Sequence, residues 1–166
     1  TAKAVLKSTT GEPAAALDLA AAGRLDAFTI TGRGRWPTTP ASIAPSAEGL
    51  LHVAPFQKQA LRSAFVRLSG IEPHRWFADV PQALVDLYAE LLPVDAASSD
   101  LTGHLRVVNR LAGSLDRQRL PLQELRARIR RHDDIWELQG IEAQLGAGGS
   151  LRGDGTLLAD DLLLNL

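Results

Sequence analysis

The chain has 166 residues, enough for one domain with a substantial core. Its net charge of −1 gives no bulk attraction to nucleic acid or to an anionic membrane surface. Cysteine is absent, which excludes disulfides, thiolate metal sites and cysteine nucleophiles. Fifteen of its 18 cationic residues are arginine, which fits a compositional bias better than a phosphate-binding role. The sequence opens on Thr1 and contains no Met, so it reads as an excised or processed piece of a longer protein. It holds no apolar run of about eighteen residues and no charged start followed by an apolar stretch, so it shows neither a spanning helix nor a signal peptide.

Residues 2–8 suit a short strand, and Thr9, Thr10, Gly11, Glu12 and Pro13 suit a turn. Residues 14–22 fit two conformations: Leu17 and Leu19 alternate, but the alanines suit a helix equally well. Gly23 and Arg24 are expected to turn the chain. Residues 27–36 give the clearest strand of the first half. Phe28, Ile30, Gly32, Gly34 and Trp36 share one face, and Thr29, Thr31, Arg33 and Arg35 the other. A loop rich in Thr, Pro and Ser is expected over 37–45. A short strand over 49–55 presents Leu51 and Val53, and residues 60–69 are apolar without a clear register. The cluster His74, Arg75, Trp76 and Phe77 follows Pro73, which suits the first turn of one short helix near 72–78.

Residues 82–94 carry both periods. Leu84, Leu87, Tyr88, Leu91 and Leu92 have helical spacing, and Pro81 suits a first helical position; Val85, Leu87, Ala89 and Leu91 alternate as a strand would. Taken alone, the periodicity leans toward helix. Residues 93–100 read as a linker.

The most regular stretch is 101–145, read as strand, polar excursion, strand, turn, strand. Leu101, Gly103, Leu105 and Val107 alternate with Thr102, His104 and Arg106. Asn109 to Arg119 breaks the pattern. Leu125, Ala127 and Ile129 then alternate with Arg126, Arg128 and Arg130; Asp133 and Asp134 mark a turn, and Trp136 and Leu138 carry the next strand. Beyond residue 145 the chain shows short strands punctuated by Gly146, Gly148, Gly149, Gly153 and Gly155. Leu151 stands between them, and Leu162, Leu164 and Leu166 share a closing face. Apolar-x-apolar-x-Gly segments recur about once per fifteen residues, which predicts an all-β, mostly antiparallel meander rather than βαβ units.

Residue chemistry argues against an enzyme. His52, His74, His104 and His132 lack metal-ligand spacing, so no metal and no cofactor are expected. The run GAGGSLRGDG fits neither the dinucleotide fingerprint nor the P-loop, and its glycines suit bends in a curved sheet. Asp133 with Asp134, and Asp160 with Asp161, are adjacent and would point to opposite faces of a strand, so neither pair can act as acid and base. No serine sits in a nucleophile elbow. Arg126, Arg128, Arg130 and Arg131 could grip phosphate, but they read better as a solvated face opposite the apolar positions.

The segments LTGHLRVVN, GSLDRQRLPL and IWELQGIEAQLGAGGSLRGDGTL resemble the periplasmic region of the TamB family, within the AsmA-like superfamily. TamB is the inner-membrane-anchored subunit of the translocation and assembly module. LDAFTITGRGRW and WFADVPQALVDLYAEL resemble the same family, so the likeness spans most of the chain. Its best-defined motif is a connection formed by Asn109, Gly113, Leu115, Asp116, Arg119, Leu120 and Pro121.

The resemblance implies a curved open sheet, a "β-taco", forming one apolar groove over residues 1–166 as part of a longer protein that spans the envelope. In that setting residues 82–92 become a strand. The groove face would include Phe28, Ile30, Val53, Leu105, Val107, Leu125, Ile129, Trp136, Leu138, Leu162 and Leu164. Implied partners are phospholipid acyl chains, a TamA-like outer-membrane barrel reached through the full-length protein, and outer-membrane protein substrates; the implied location is the periplasm. Roughly ten strands about 4.8 Å apart would give a groove of about 48 Å. Two other readings compete: a chaperone that receives substrate strands at an open sheet edge, and a plain β-domain with a closed core.

Overall fold

Period-two alternation prevails over helical propensity throughout the described chain. The computed structural model describes residues 2–5, 16–35, 45–57, 60–75, 79–95, 98–133, 135–158 and 161–165. They form eleven strands: Ala2–Val5 (β1), Ala16–Arg24 (β2), Ala27–Arg35 (β3), Ser46–Val53 (β4), Leu61–Ile71 (β5), Val85–Pro93 (β6), Leu101–Asn109 (β7), Leu122–His132 (β8), Ile135–Leu145 (β9), Ser150–Leu158 (β10) and Asp161–Asn165 (β11). All lie in one sheet in chain order, and every neighbouring pair is antiparallel. The only helical turns among the described residues are three of 3-10 type, one of them at Pro73–Arg75, inside the segment expected to hold a short helix.

Three expectations need correction. The helical spacing of 82–94 does not produce a helix. Val85, Leu87, Ala89 and Leu91 follow the strand alternation instead, because β6 is hydrogen-bonded on both sides, to β5 and to β7. Tertiary pairing there outweighs local preference. The turn expected at Gly23 and Arg24 falls two residues later: both residues pair with β3, and Leu25 and Asp26 make a two-residue hairpin. Pro93 ends β6, opposite Leu101, rather than opening the linker. Being the last residue of its strand, it costs the ladder little. The alanine-rich stretch that fitted strand or helix equally is strand β2. The turn at 9–13, most of the loop at 37–45, and Trp36, Trp76, Phe77, Asp134, Asp160 and Leu166 lie outside the described residues.

The sheet is open and curved. Its principal contacts join only consecutive strands, so β1 and β11 are its two edges. A flat single sheet would leave both faces wet, yet Leu101 is 1% exposed, Leu91 7% and Ile129 9%. Their burial comes from one face, where Leu61, Ala64, Leu105, Trp136 and Leu138 of the same and neighbouring strands pack against them. Register shifts between β4 and β5, β5 and β6, β8 and β9, and β9 and β10 increase the coiling. At one of these, Gly140 adopts φ 58°, a left-handed conformation suited to glycine. Its amide is met by Asp154 Oδ1 at 2.7 Å.

One end of the sheet is closed by a side chain. Asn109 is 5% exposed and uses its full hydrogen-bonding capacity. Its Oδ1 accepts from the amides of Leu84 and Leu111, each at 3.0 Å. Its Nδ2 donates to the carbonyls of Leu120 at 3.2 Å and Leu122 at 3.0 Å. The approach to β6 is thereby stapled to the β7–β8 connection. In that connection the Gly113 amide donates to Leu120 O, and the Arg119 side chain lies where a Gly113 Cβ would stand. Asn109→Ala would strand two amides and two carbonyls, each an expensive loss when buried. The expected result is a stability loss of about 2–3 kcal/mol in urea unfolding; a loss below about 0.5 kcal/mol would show the staple to be incidental.

A second pin lies across β5, β6 and β7. Asp86 accepts from Ser69 Oγ at 3.0 Å and from the Gly70 amide at 2.8 Å, and it pairs with Arg110. Partial burial alone would raise the Asp86 pKa. The bonds from Arg110, the Gly70 amide and Ser69 outweigh it and hold the carboxyl below its ordinary value. A depressed carboxylate stabilises the fold fully above its unfolded pKa of about 3.9, and the contribution is lost as pH falls through the folded value. Asp86→Asn should therefore be less stable than wild type from pH 5 to 7, with the difference closing on acidification. A constant difference down to pH 2 would contradict this linkage.

Candidate apolar groove

Cross-strand register turns separate stripes into one surface. Ala21 pairs with Ile30, and the row continues through Leu51, Ala64, Leu91, Gly103, Ile129, Leu138, Gly155 and Leu164, across ten consecutive strands. No polar residue interrupts it. A parallel row runs Leu68, Leu87, Val107, Leu125, Ala143, Leu151. In a third, Phe28 faces Val53, which faces Leu61. The expected groove residues thus share a single face: Phe28 and Ile30 on β3, Val53 on β4, Leu105 and Val107 on β7, Leu125 and Ile129 on β8, Trp136 and Leu138 on β9. Leu162 and Leu164 take the same register on β11, where only the backbone is described.

The floor is densest from β5 to β9. Leu91, Leu101 and Ile129 form its buried centre, with Leu61, Ala64, Leu105, Trp136 and Leu138 packed against them. Leu105 and Val107 remain partly open to solvent, as do Phe28, Ile30, Val53, Leu125, Trp136 and Leu138. Among the described residues, every strand belongs to this one sheet, and no second layer of strands or α-helices lies over the face.

Several members of the face were not expected from the sequence. Leu61, Ala64 and Val66 on β5 were hidden because that strand also carries Phe65 and Val66 in succession, which blurs its period. Leu87 and Leu91 on β6 were obscured by helical spacing. Ile141 and Ala143 were missed for another reason. The extra residue at Gly140 reverses the parity of β9, so a strict alternation from Trp136 and Leu138 would place them outside. A Gly between alternating apolar residues was the available signal.

The opposite face is mainly polar. Glu124 accepts from Arg106 at 2.6 Å and from Arg126 at 2.9 Å. The bonds from Arg126 and then Arg106 hold the Glu124 carboxyl below its ordinary value. Arg128 and Arg130 are exposed. A depression of about 530 Å³ on this side is lined by Arg128, Glu137, Gln139 and Asp154, among others. Phe65 and Tyr88 form an edge-to-face pair there, with centroids 5.5 Å apart, so the outer face carries an apolar island. The arginine row needs one correction: Arg131 is not on the solvated face. It pairs with Leu101 on one side and Trp136 on the other, inside the apolar register.

No protein-family model matches the chain, no curated protein matches it, and no solved structure matches its fold.

Proposed function

We propose that this segment is a non-enzymatic, TamB-like part of an envelope protein that offers its concave face to phospholipid acyl chains between the inner and outer membranes. The observation that carries the reading is the unbroken apolar row from Ala21 to Leu164, on a face with no covering layer among the described residues. Eleven strands about 4.8 Å apart make a trough of about 50 Å along the direction crossing the strands. Taking an acyl chain out of water gains about 0.8 kcal/mol per methylene. A bilayer offers the chain the same gain, so transfer from bilayer to groove is close to neutral. A near-neutral site passes lipid on, whereas a strongly favourable one would retain it.

The test is lipid extraction and mass spectrometry on the purified chain. Phospholipid in near-stoichiometric amount supports the groove. Absence of lipid, with the face also shielded from a hydrophobic dye, would sink it in favour of a closed core. A second reading draws support from β1 and β11 being the edge strands of the described sheet: strands of outer-membrane protein substrates would add there by β-augmentation. That reading makes binding sensitive to proline in an edge strand and indifferent to charge in the groove.

A further inference from the structure

Across the paired registers of β6 to β9, the apolar face carries one charged side chain, Arg131. It stands in the row nearest the β8–β9 turn, between Leu101, the most buried large side chain, and Trp136. Its guanidinium carbon lies 5.3 Å from the Trp136 ring centroid, so the cation is held over an aromatic face. Its Nε is out of contact with water and has no hydrogen-bond acceptor among the described residues. Two described carboxylates nearby face His132. Asp100 is 2.8 Å from Nδ1 of His132, on the opposite face, and Asp133 lies 3.7 Å from Nε2 of the same ring.

An arginine with no ion pair among the described residues, placed at the rim of an apolar trough, is an unusual expense unless an anion completes it. We propose that Arg131 and Trp136 form a headgroup site. The phosphate of a glycerophospholipid binds the Arg131 guanidinium at this rim, and its acyl chains run inward over Ile129 and Leu138. The inference rests on the groove reading given above and adds a fixed position and orientation for the lipid. The planar guanidinium suits two phosphate oxygens at once, and lysine cannot reproduce that geometry. The apolar surroundings favour an anion that carries hydrocarbon over free inorganic phosphate.

The experiment compares binding of dioctanoylphosphatidylglycerol and dioctanoylglycerol, which share acyl chains and differ in the phosphate, to the whole chain by calorimetry below micelle-forming concentration. Wild type, Arg131→Gln and Arg131→Lys are compared after circular dichroism has shown each to be folded. The wild type is expected to prefer the phospholipid. Arg131→Gln should lose about tenfold or more in affinity for the phospholipid while holding dioctanoylglycerol unchanged, and Arg131→Lys should recover only part of the loss. The Arg131 Nε–H resonance should shift on adding the phospholipid and not on adding the diacylglycerol. Equal binding of both lipids by all three proteins overturns the headgroup site and leaves the groove standing. Binding of neither lipid by wild type overturns both. Octanoate that competes as well as the phospholipid would overturn the assignment of phosphate as the recognised group.

Discussion

Replacing Leu105 by glutamate is expected to leave the chain folded and to abolish its loading with phospholipid. Leu105 sits in the middle of β7, opposite Ala89 and Ala127, and is partly exposed on the concave face. In the empty groove a carboxylate there keeps contact with water. The stability cost is then the lost packing against the buried centre, about 1.5–3 kcal/mol. An acyl chain lying over the same spot would strip that water from the charge, at a cost of several kcal/mol. Every 1.4 kcal/mol lowers occupancy about tenfold, so lipid should fall below detection in the extracted protein. Lipid at wild-type levels in a folded Leu105→Glu variant would remove the acyl chain from this face. Unfolding of the variant would instead indicate a face closed to water. Ile129, only 9% exposed, cannot make this distinction, since a charge there should unfold the sheet under either reading.

Gly103→Ala should be strongly destabilising. Gly103 faces Leu91 in the row along the groove floor. A Cβ at Gly103 would stand 1.7 Å from the Glu90 carbonyl oxygen, 2.7 Å from that carbonyl carbon and 3.0 Å from Leu91 Cα. All three are backbone atoms of β6, hydrogen-bonded on both edges, so no side chain can swing aside. The curl between β6 and β7 depends on that close approach, and relief would require the strands to separate where Leu91 and Leu101 are buried. The expected loss is about 3 kcal/mol or more. For a chain of this size it corresponds to a fall in melting temperature of roughly 6–12 °C. Gly49→Ala is the matched control: it lies on the same face, and its nearest atom, Phe65 O, would be 3.7 Å away, an ordinary contact. Equal stability of the two variants in thermal unfolding would disprove the tight approach at Gly103.

The strands that alternate cleanly in sequence are the ones whose faces could be assigned in advance. Residues 27–35, 101–107 and 125–130 show why: the inward residues are apolar or glycine, the outward ones mostly polar, and a one-residue slip would invert the whole strand. From these stretches the sequence alone determined an all-β chain with one apolar face, along with the identities of most groove residues on β3, β7 and β8. The tertiary structure decided the rest. Residues 82–94 support two periods, and only pairing with β5 and β7 selects the strand. Ile141 enters the groove because Gly140 takes a left-handed turn and shifts the parity of β9, a backbone event that a fixed period cannot anticipate. Arg131 follows Arg130 in sequence and looks like one more exposed cation. Its place over Trp136, inside the apolar register, depends on which face of β8 meets which face of β9. Curvature was beyond local pattern as well, because it arises from several bulges acting together and from one close approach at Gly103, where the backbones of β6 and β7 meet.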